Sequence, residues 1–210
     1  NRSLRVETQI EGDEKSVGKI IFLGNGRCYH TVSWLRNVIL NKQSDVITFI
    51  TDRVGDPILS QANEFSNLEI KKTIDFHGVI SNNFSTLSNI YRNLVSLILL
   101  PIQVVRLKIL LRNEKNFILH VHCMYYALIA FFARIKCVVT PLGSEILVRP
   151  FRSKFYKVIS KKILNFHTIV TVDSIAMKDT CFELYGIHPA IIQNGINVTR
   201  ILSEINNRIP

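Results

Sequence analysis

The chain has 210 residues, 47% of them hydrophobic, enough to bury the core of one large domain or two small ones. Lys and Arg number 26 against 16 Asp and Glu, and the formal net charge of +10 favours an anionic partner: nucleic acid, an anionic membrane surface or a phosphorylated substrate. The chain has no Arg-Gly-rich tail, no finger-type Cys/His spacing and no aromatic–basic strand motif, which sets nucleic acid aside.

The four cysteines, Cys28, Cys123, Cys137 and Cys181, are widely spaced with no CxxC. A metal site or disulfide framework is therefore not expected, and a reducing cytoplasm is the default compartment. Asn197-Val198-Thr199 fits an N-glycosylation sequon, which matters only in a secretory compartment. Residues 1–19 are polar and charged and show no signal peptide.

In chain order, residues 1–17 read as a polar tail or a short extra strand. Lys19 to Leu23 is an apolar run ending in Gly24-Asn25-Gly26, a buried strand followed by a glycine turn. Val32, Leu35 and Val38/Ile39 recur at helical spacing and predict a helix over residues 30–42. Asp45 to Thr51 and Leu68 to Phe76 are the next strands. Phe84, Leu87, Ile90/Tyr91, Leu94 and Ile98 trace a long helix that Pro101 kinks or restarts. Its apolar stretch, Leu94 to Val105, is too short to span a bilayer and reads as a buried or an interfacial helix.

Phe117 to Val121 is a fourth strand, and Cys123 to Arg134, apolar nearly all round, a buried helix. Cys137 to Thr140 is a fifth strand. An amphipathic helix over residues 151–165 would turn Phe155, Val158, Ile159 and Ile163 inward. Thr168 to Val172 is a sixth strand, Ser174 the N-cap of a helix that ends at Gly186, and Ala190 to Ile192 a last strand. Continuous apolar strands alternating with helices predict an α/β fold: a doubly wound, Rossmann-like parallel sheet with helices on both faces. In such sheets ligands bind beyond the carboxyl ends of the strands, so the loops after Leu23, Val121, Thr140 and Val172 are where chemistry is sought.

After the first strand, Gly24, Asn25 and Gly26 offer either a close approach for a phosphate or sugar, helped by the following helix N-terminus, or a plain tight turn. A dinucleotide fingerprint is absent, since no third glycine follows. After the fourth strand, His120 and His122 share a face. His120 reads as a hydrogen-bonded core residue and His122, at the strand end, as a substrate contact; no third metal ligand is evident. After the fifth, Gly143 permits close approach and Ser144 and Glu145 could bind sugar hydroxyls, or Ser144 could simply cap a short helix.

Thr140 to Leu147, with the sequence TPLGSEIL, resembles the T-P-x-G-S-D-I-L stretch of family-four GT-B glycosyltransferases, which build lipopolysaccharide, capsule and related surface glycans. His120-Val121-His122 resembles that family's H-x-H, Val170 to Ser174 its I-x-x-D/S-S, and Ile191 to Asn197 its V-I-x-N-G-V-D, in the family's order. Glu145 and Asn197 stand where the family has Asp, and Leu142 where it often has an aromatic residue or His.

The resemblance implies a metal-independent, cofactor-free transfer, usually retaining, of a hexosyl group from a nucleotide-sugar donor to a saccharide or lipid-linked acceptor. His122 would be catalytic. Gly24, Asn25 and Gly26 would lie near the donor diphosphate, and Gly143, Ser144 and Glu145 on the acceptor side. Asp173, Ser174 and Asn194, within the matched motifs, would line the substrate site. Residues 18–196 would be the N-terminal, acceptor-side domain and 197–210 the start of an interdomain linker. The donor-binding half would begin near residue 200, so the chain is expected to be inactive alone.

Arg149, Arg152, Lys154, Lys157, Lys161 and Lys162 crowd one stretch, either a solvated helix surface or a landing site for an anionic leaflet or lipid diphosphate, which would make the protein peripheral on the inner face of the plasma membrane. Two alternatives stand beside the transferase: a GT-B-fold sugar-nucleotide epimerase half, for which catalytic carboxylates are not found, and a non-catalytic flavodoxin-like binding domain. No acidic cluster follows the first strand, as a phosphoacceptor receiver would need.

Overall fold

The computed structural model describes residues 19–41, 46–74 and 95–193. Strands apolar on both faces must be covered twice, and the five inner strands of the sheet are buried at their carboxyl ends, whereas its two edge strands are partly exposed. β1 (Lys19–Leu23), β2 (Ile47–Thr51), β3 (Leu68–Lys72), β4 (Phe117–His122), β5 (Val138–Thr140), β6 (Ile169–Val172) and β7 (Ala190–Ile191) lie in the order β3-β2-β1-β4-β5-β6-β7. All six adjacent pairs are parallel. The chain winds outward from β1 to one edge, returns, and winds outward from β4 to the other. Strand order thus reverses between β1 and β4, where Leu23 is in register with Val121. The fold is the doubly wound, Rossmann-like α/β sheet expected from the sequence.

The helices are α1 (Tyr29–Asn41), α2 (Asp56–Glu64), α3 (Leu100–Leu111), α4 (Met124–Ala133), α5 (Gly143–Leu147), α6 (Arg149–Arg152), α7 (Lys154–Phe166) and α8 (Ile175–Tyr185). Strand alternation divides the core in two. Phe22, Ile47 and Phe49 pack with Val32, Leu35, Ile39 and Ile58 of α1 and α2. Ile21, Leu23, Leu119 and Val121 pack on the other face with residues of α3, α4, α7 and α8. Ser174 caps α8 by accepting the Met177 N–H, and Gly186 closes it in the left-handed conformation at φ 72°.

Several expectations are corrected. The helix over 151–165 is two helices, because Ser153 is extended and its hydroxyl accepts the Tyr156 N–H at 3.2 Å, starting α7 afresh. In α7 Ile163 is buried and Ile159 half-buried, but Phe155 and Val158 are exposed. Burial is taken instead by Ser160 and Leu164, one step around the helix. The short helix after β5 starts at Gly143, with Leu142 rather than Ser144 at the N-cap position. Helix α4 is not wholly buried, since Phe132 is exposed. Pro101 lies in the first turn of α3, which buries Leu100, Gln103, Leu107 and Leu111 while Ile102, Val105 and Ile109 face outward. Among the described residues no helix is long and apolar enough to cross a membrane. The readings made for residues 1–17, for Phe84 to Tyr91 and for 197–210 lie outside the described residues.

The glycines separate by what surrounds them. A Cβ on Gly26 would lie 2.7 Å from the Arg53 carbonyl oxygen and 2.8 Å from Ile58 Cγ2, whereas one on Gly143 would meet nothing nearer than Met177 Sδ at 4.0 Å. Gly26→Ala is therefore expected to lower stability by about 1–3 kcal/mol, an overpacking cost, and Gly143→Ala to stay within about 0.5 kcal/mol. Urea unfolding of the two variants checks this, and equal midpoints would contradict it.

Candidate functional site

The reversal of strand order puts the β1–α1 turn against the end of β4. A Cβ on Gly24 would sit 2.7 Å from Thr31 Cγ2 and 3.4 Å from His122 Cβ, so glycine lets the turn close over the histidine. His122 has no exposed surface. Its Nδ1 is 3.3 Å from the Thr31 hydroxyl, and its Nε2 is buried without a hydrogen-bond partner among the described residues. Exposed His30 stands edge-on to the ring, centroids 5.5 Å apart. Burial, then the nearby His120 and His30, holds the His122 pKa down to about 3. The ring is neutral at pH 7; in the tautomer in which the Thr31 hydroxyl donates to Nδ1, Nε2 carries a proton to offer.

His120 is the core histidine expected. Its Nε2 is 2.7 Å from Thr140 Oγ1, which is 2.5 Å from Thr171 Oγ1, and its ring packs on Phe22 and Trp34. Burial lowers its pKa to about 4.

Within the glycine turn, four amides are paired to protein acceptors. Gly24 N–H donates to the Ile50 carbonyl, Gly26 N–H to Thr51 Oγ1, Arg27 N–H to Asn25 Oδ1 and Cys28 N–H to the Asn25 carbonyl. The glycines serve close packing against β4 and α2, and Asn25 closes the turn.

On the other side of β4, His122 is in register with Thr140 of β5. The segment from Pro141 leads from this pair into α5. Glu145 is only 3% exposed, and its Oε2 accepts the N–H groups of Met124 and Leu142, both at 2.9 Å. Arg149 lies 3.7 Å from Oε1. Burial pushes the Glu145 pKa up, against the pull of the two N–H donors and Arg149. The expected sugar contact at Glu145 is thus corrected: this carboxylate faces the protein and ties the β4–α4 junction to the β5–α5 turn. Ser144 is exposed and Gly143 half-buried, with Met177 of α8 close by. Half-buried Asp173 and Ser174 follow β6 on the same rim. His122, the Gly143–Ser144 turn and Asp173–Ser174 therefore share the carboxyl edge of the sheet, while Asn194 lies outside the described residues.

Two features had not been singled out from the sequence. Cys123, immediately after His122, has φ 79° and ψ 156°, a conformation nearly confined to glycine. Its N–H donates to the Thr140 carbonyl at 2.9 Å, and Glu145 holds the next N–H, so neighbouring bonds maintain the strain. Beyond β2, buried Asp52 accepts a hydrogen bond from Tyr126 of α4, and Arg53 Nε lies 3.6 Å from its other oxygen. Arg53 also reaches the Ser96 hydroxyl at 3.1 Å. Burial and then Asp52 push the Tyr126 pKa well up. A carboxylate directly after a buried strand was the available signal. Separately, a cavity of about 300 Å³ bordered by His167, Ile169 and His188 opens at the amino ends of β6 and β7, the edge on which doubly wound sheets do not bind ligands.

No family model matches the sequence, and no curated protein matches it. Among solved structures, Anabaena HepE in complex with UDP and glucose is similar at 13% identity and a TM-score of 0.57, covering 91% of this chain and 50% of HepE. HepE in complex with UDP gives a TM-score of 0.54 over the same shares, again at 13% identity. A UDP-N-acetylglucosamine 2-epimerase from Rickettsia bellii gives 0.49 at 11% identity, covering 91% of this chain and 48% of that one. The likeness is one of fold, and the chain spans about half the length of these proteins.

Two outcomes follow. Glu145→Ala orphans two buried N–H groups and is expected to cost about 2–5 kcal/mol in urea unfolding, with Glu145→Gln losing less because an amide oxygen still accepts. A Glu145→Ala loss below about 0.5 kcal/mol would contradict the clamp. The buried histidines set a pH dependence. Above about pH 6.5 folded and unfolded chains both keep these rings neutral. As pH falls from there towards 4, the unfolded chain takes up protons that His120 and His122 refuse, so stability falls by up to about 1.4 kcal/mol per pH unit for each ring. Unfolding at pH 7 and pH 5 should show the drop, with a shallower slope in His120→Gln. An unchanged slope in that variant would contradict the assignment.

Proposed function

We propose that the chain is the acceptor-side half of a two-domain GT-B glycosyltransferase, moving a hexosyl group from a nucleotide sugar to a saccharide or lipid-linked acceptor in surface-glycan synthesis at the cytoplasmic face. The observation that carries this reading is the unpartnered Nε2 of His122 at the point where strand order reverses. A buried polar atom without a partner is costly, and doubly wound sheets bind ligands at this place. The fold shared with HepE, solved with UDP and glucose, supports a sugar-nucleotide chemistry, as do the four short motifs ordered along the chain.

In this reading the site opens to uncover Nε2 of the neutral His122 imidazole, which then donates to a sugar oxygen and stabilises charge as it develops there, with no proton lost at pH 7. The strained Cys123 backbone and the Thr31 contact fix the ring, which is preorganisation rather than reach. His30 gives the site an exposed polar edge. Gly143, Ser144, Asp173 and Ser174 form the acceptor rim: Ser144 is exposed, and the bare Gly143 leaves room for a ring. A second lobe would bring the nucleotide, supply cations for its diphosphate without a metal cofactor, and close the cleft to water. Retention of anomeric configuration is the expected stereochemistry.

The test is a screen of the two-domain protein against nucleotide sugars and lipid-linked or saccharide acceptors, reading nucleoside diphosphate release. His122→Ala is expected to lower kcat about 100-fold with a smaller change in donor KM. The 210-residue chain alone should not turn over. Turnover by this chain alone, or wild-type rates in a folded His122→Ala protein, would overturn the proposal.

A further inference from the structure

From Ile146 to Val172 the sequence contains no Asp or Glu but carries Arg149, Arg152, Lys154, Lys157, Lys161 and Lys162. This stretch spans α6 and α7. In α7 the core-facing positions are Tyr156, Ile159, Ser160, Ile163 and Leu164, none of them exposed. At 100° per residue the opposite face carries Lys154, Phe155, Val158, Lys161 and Lys162, all exposed. Phe155 is 76% exposed, Phe151 on α6 66% and Val158 57%. A polar solvated helix surface would have no use for two phenyl rings and a valine there. Large exposed apolar groups set among like charges mark a docking surface.

The composition selects the occupant. Cations without a single interspersed acid call for an anionic surface. Aliphatic and aromatic groups between them call for hydrocarbon at shallow depth, and lysine stems extend along such a boundary while their ammonium groups stay in water. A nucleic acid would satisfy the cations but not Val158.

We propose that the outward face of α6 and α7 docks on an anionic lipid bilayer, with Phe151, Phe155 and Val158 entering the acyl boundary and the basic side chains on the headgroups. Topology adds an orientation. Helix α7 returns from the carboxyl edge of the sheet to the start of β6, so its first turn, with Lys154 and Phe155, lies near the rim. Arg149, beside the buried Glu145 and 5.9 Å over the Tyr156 ring, joins the face to the β5–α5 turn. Docking there brings the rim of His122 and Gly143 close to the headgroups, where a lipid-borne substrate is met. The proposal does not depend on the transfer reaction: it concerns binding by this chain whatever the site does.

The test is co-sedimentation of the full chain with mixed phosphatidylglycerol–phosphatidylcholine vesicles and with phosphatidylcholine vesicles, at low and high salt. Binding to the anionic vesicles should be at least about tenfold tighter and weaken with salt. Lys154→Glu/Lys161→Glu/Lys162→Glu should abolish that preference. Phe151→Ser/Phe155→Ser should reduce binding about tenfold and remove whatever survives high salt, which a purely electrostatic surface would not show. All five positions are exposed, so unchanged thermal midpoints are expected. Equal binding to neutral vesicles, binding unaffected by either variant, an oligonucleotide that displaces the vesicles, or a patch-dependent dimer that binds no lipid would each overturn it.

Discussion

The buried carboxylate of Glu145 is the constraint on which the rim depends. One oxygen accepts N–H groups from two loops that follow adjacent strands, Met124 after β4 and Leu142 after β5. A parallel sheet aligns strand ends but leaves the loops beyond them to find their own partners. Here a pair of hydrogen bonds to one acceptor oxygen, shielded from water, fixes the two loops against each other. Arg149 meets the other oxygen from the surface side, so the interaction also reaches α6 and the basic face beyond it.

With that clamp in place, the residues around His122 take up their arrangement at low freedom. Cys123 keeps a backbone conformation it would not choose, because bonds on either side hold it. Gly24 allows the β1–α1 turn to reach Thr31 and the histidine. Desolvation keeps the ring neutral, so what it offers is a directed dipole rather than a charge. A neutral donor held rigid at a reversal of strand order suits recognition of uncharged sugar oxygens better than recognition of phosphate.

Most of the fold was legible because the inner strands are buried on both faces over most of their length and so show as largely apolar runs, from Lys19–Leu23 to Ile169–Val172. The shared face of His120 and His122 followed from alternation alone. What failed depended on tertiary context. Phe155 and Val158 look like core by composition, but the frame of α7 is set by the Ser153 cap, which turns them to solvent. Glu145 looks like a ligand-binding carboxylate, and only the approach of α4 reveals two amides that claim it. Gly24 and Gly26 read either as a close approach for a ligand or as a plain tight turn, and only the tertiary contacts show that protein atoms crowd the space a Cβ would take there. The Asp52–Tyr126 pair joins positions 74 residues apart, which no local pattern discloses.

The most direct measurement is the long-range ¹H–¹⁵N spectrum of the histidine rings, recorded in the folded chain from pH 7.5 down to about pH 5. The account predicts a His122 ring that stays neutral throughout, protonated on Nε2 and bare on Nδ1. A midpoint near the ordinary histidine value, or a proton resident on Nδ1, would contradict it.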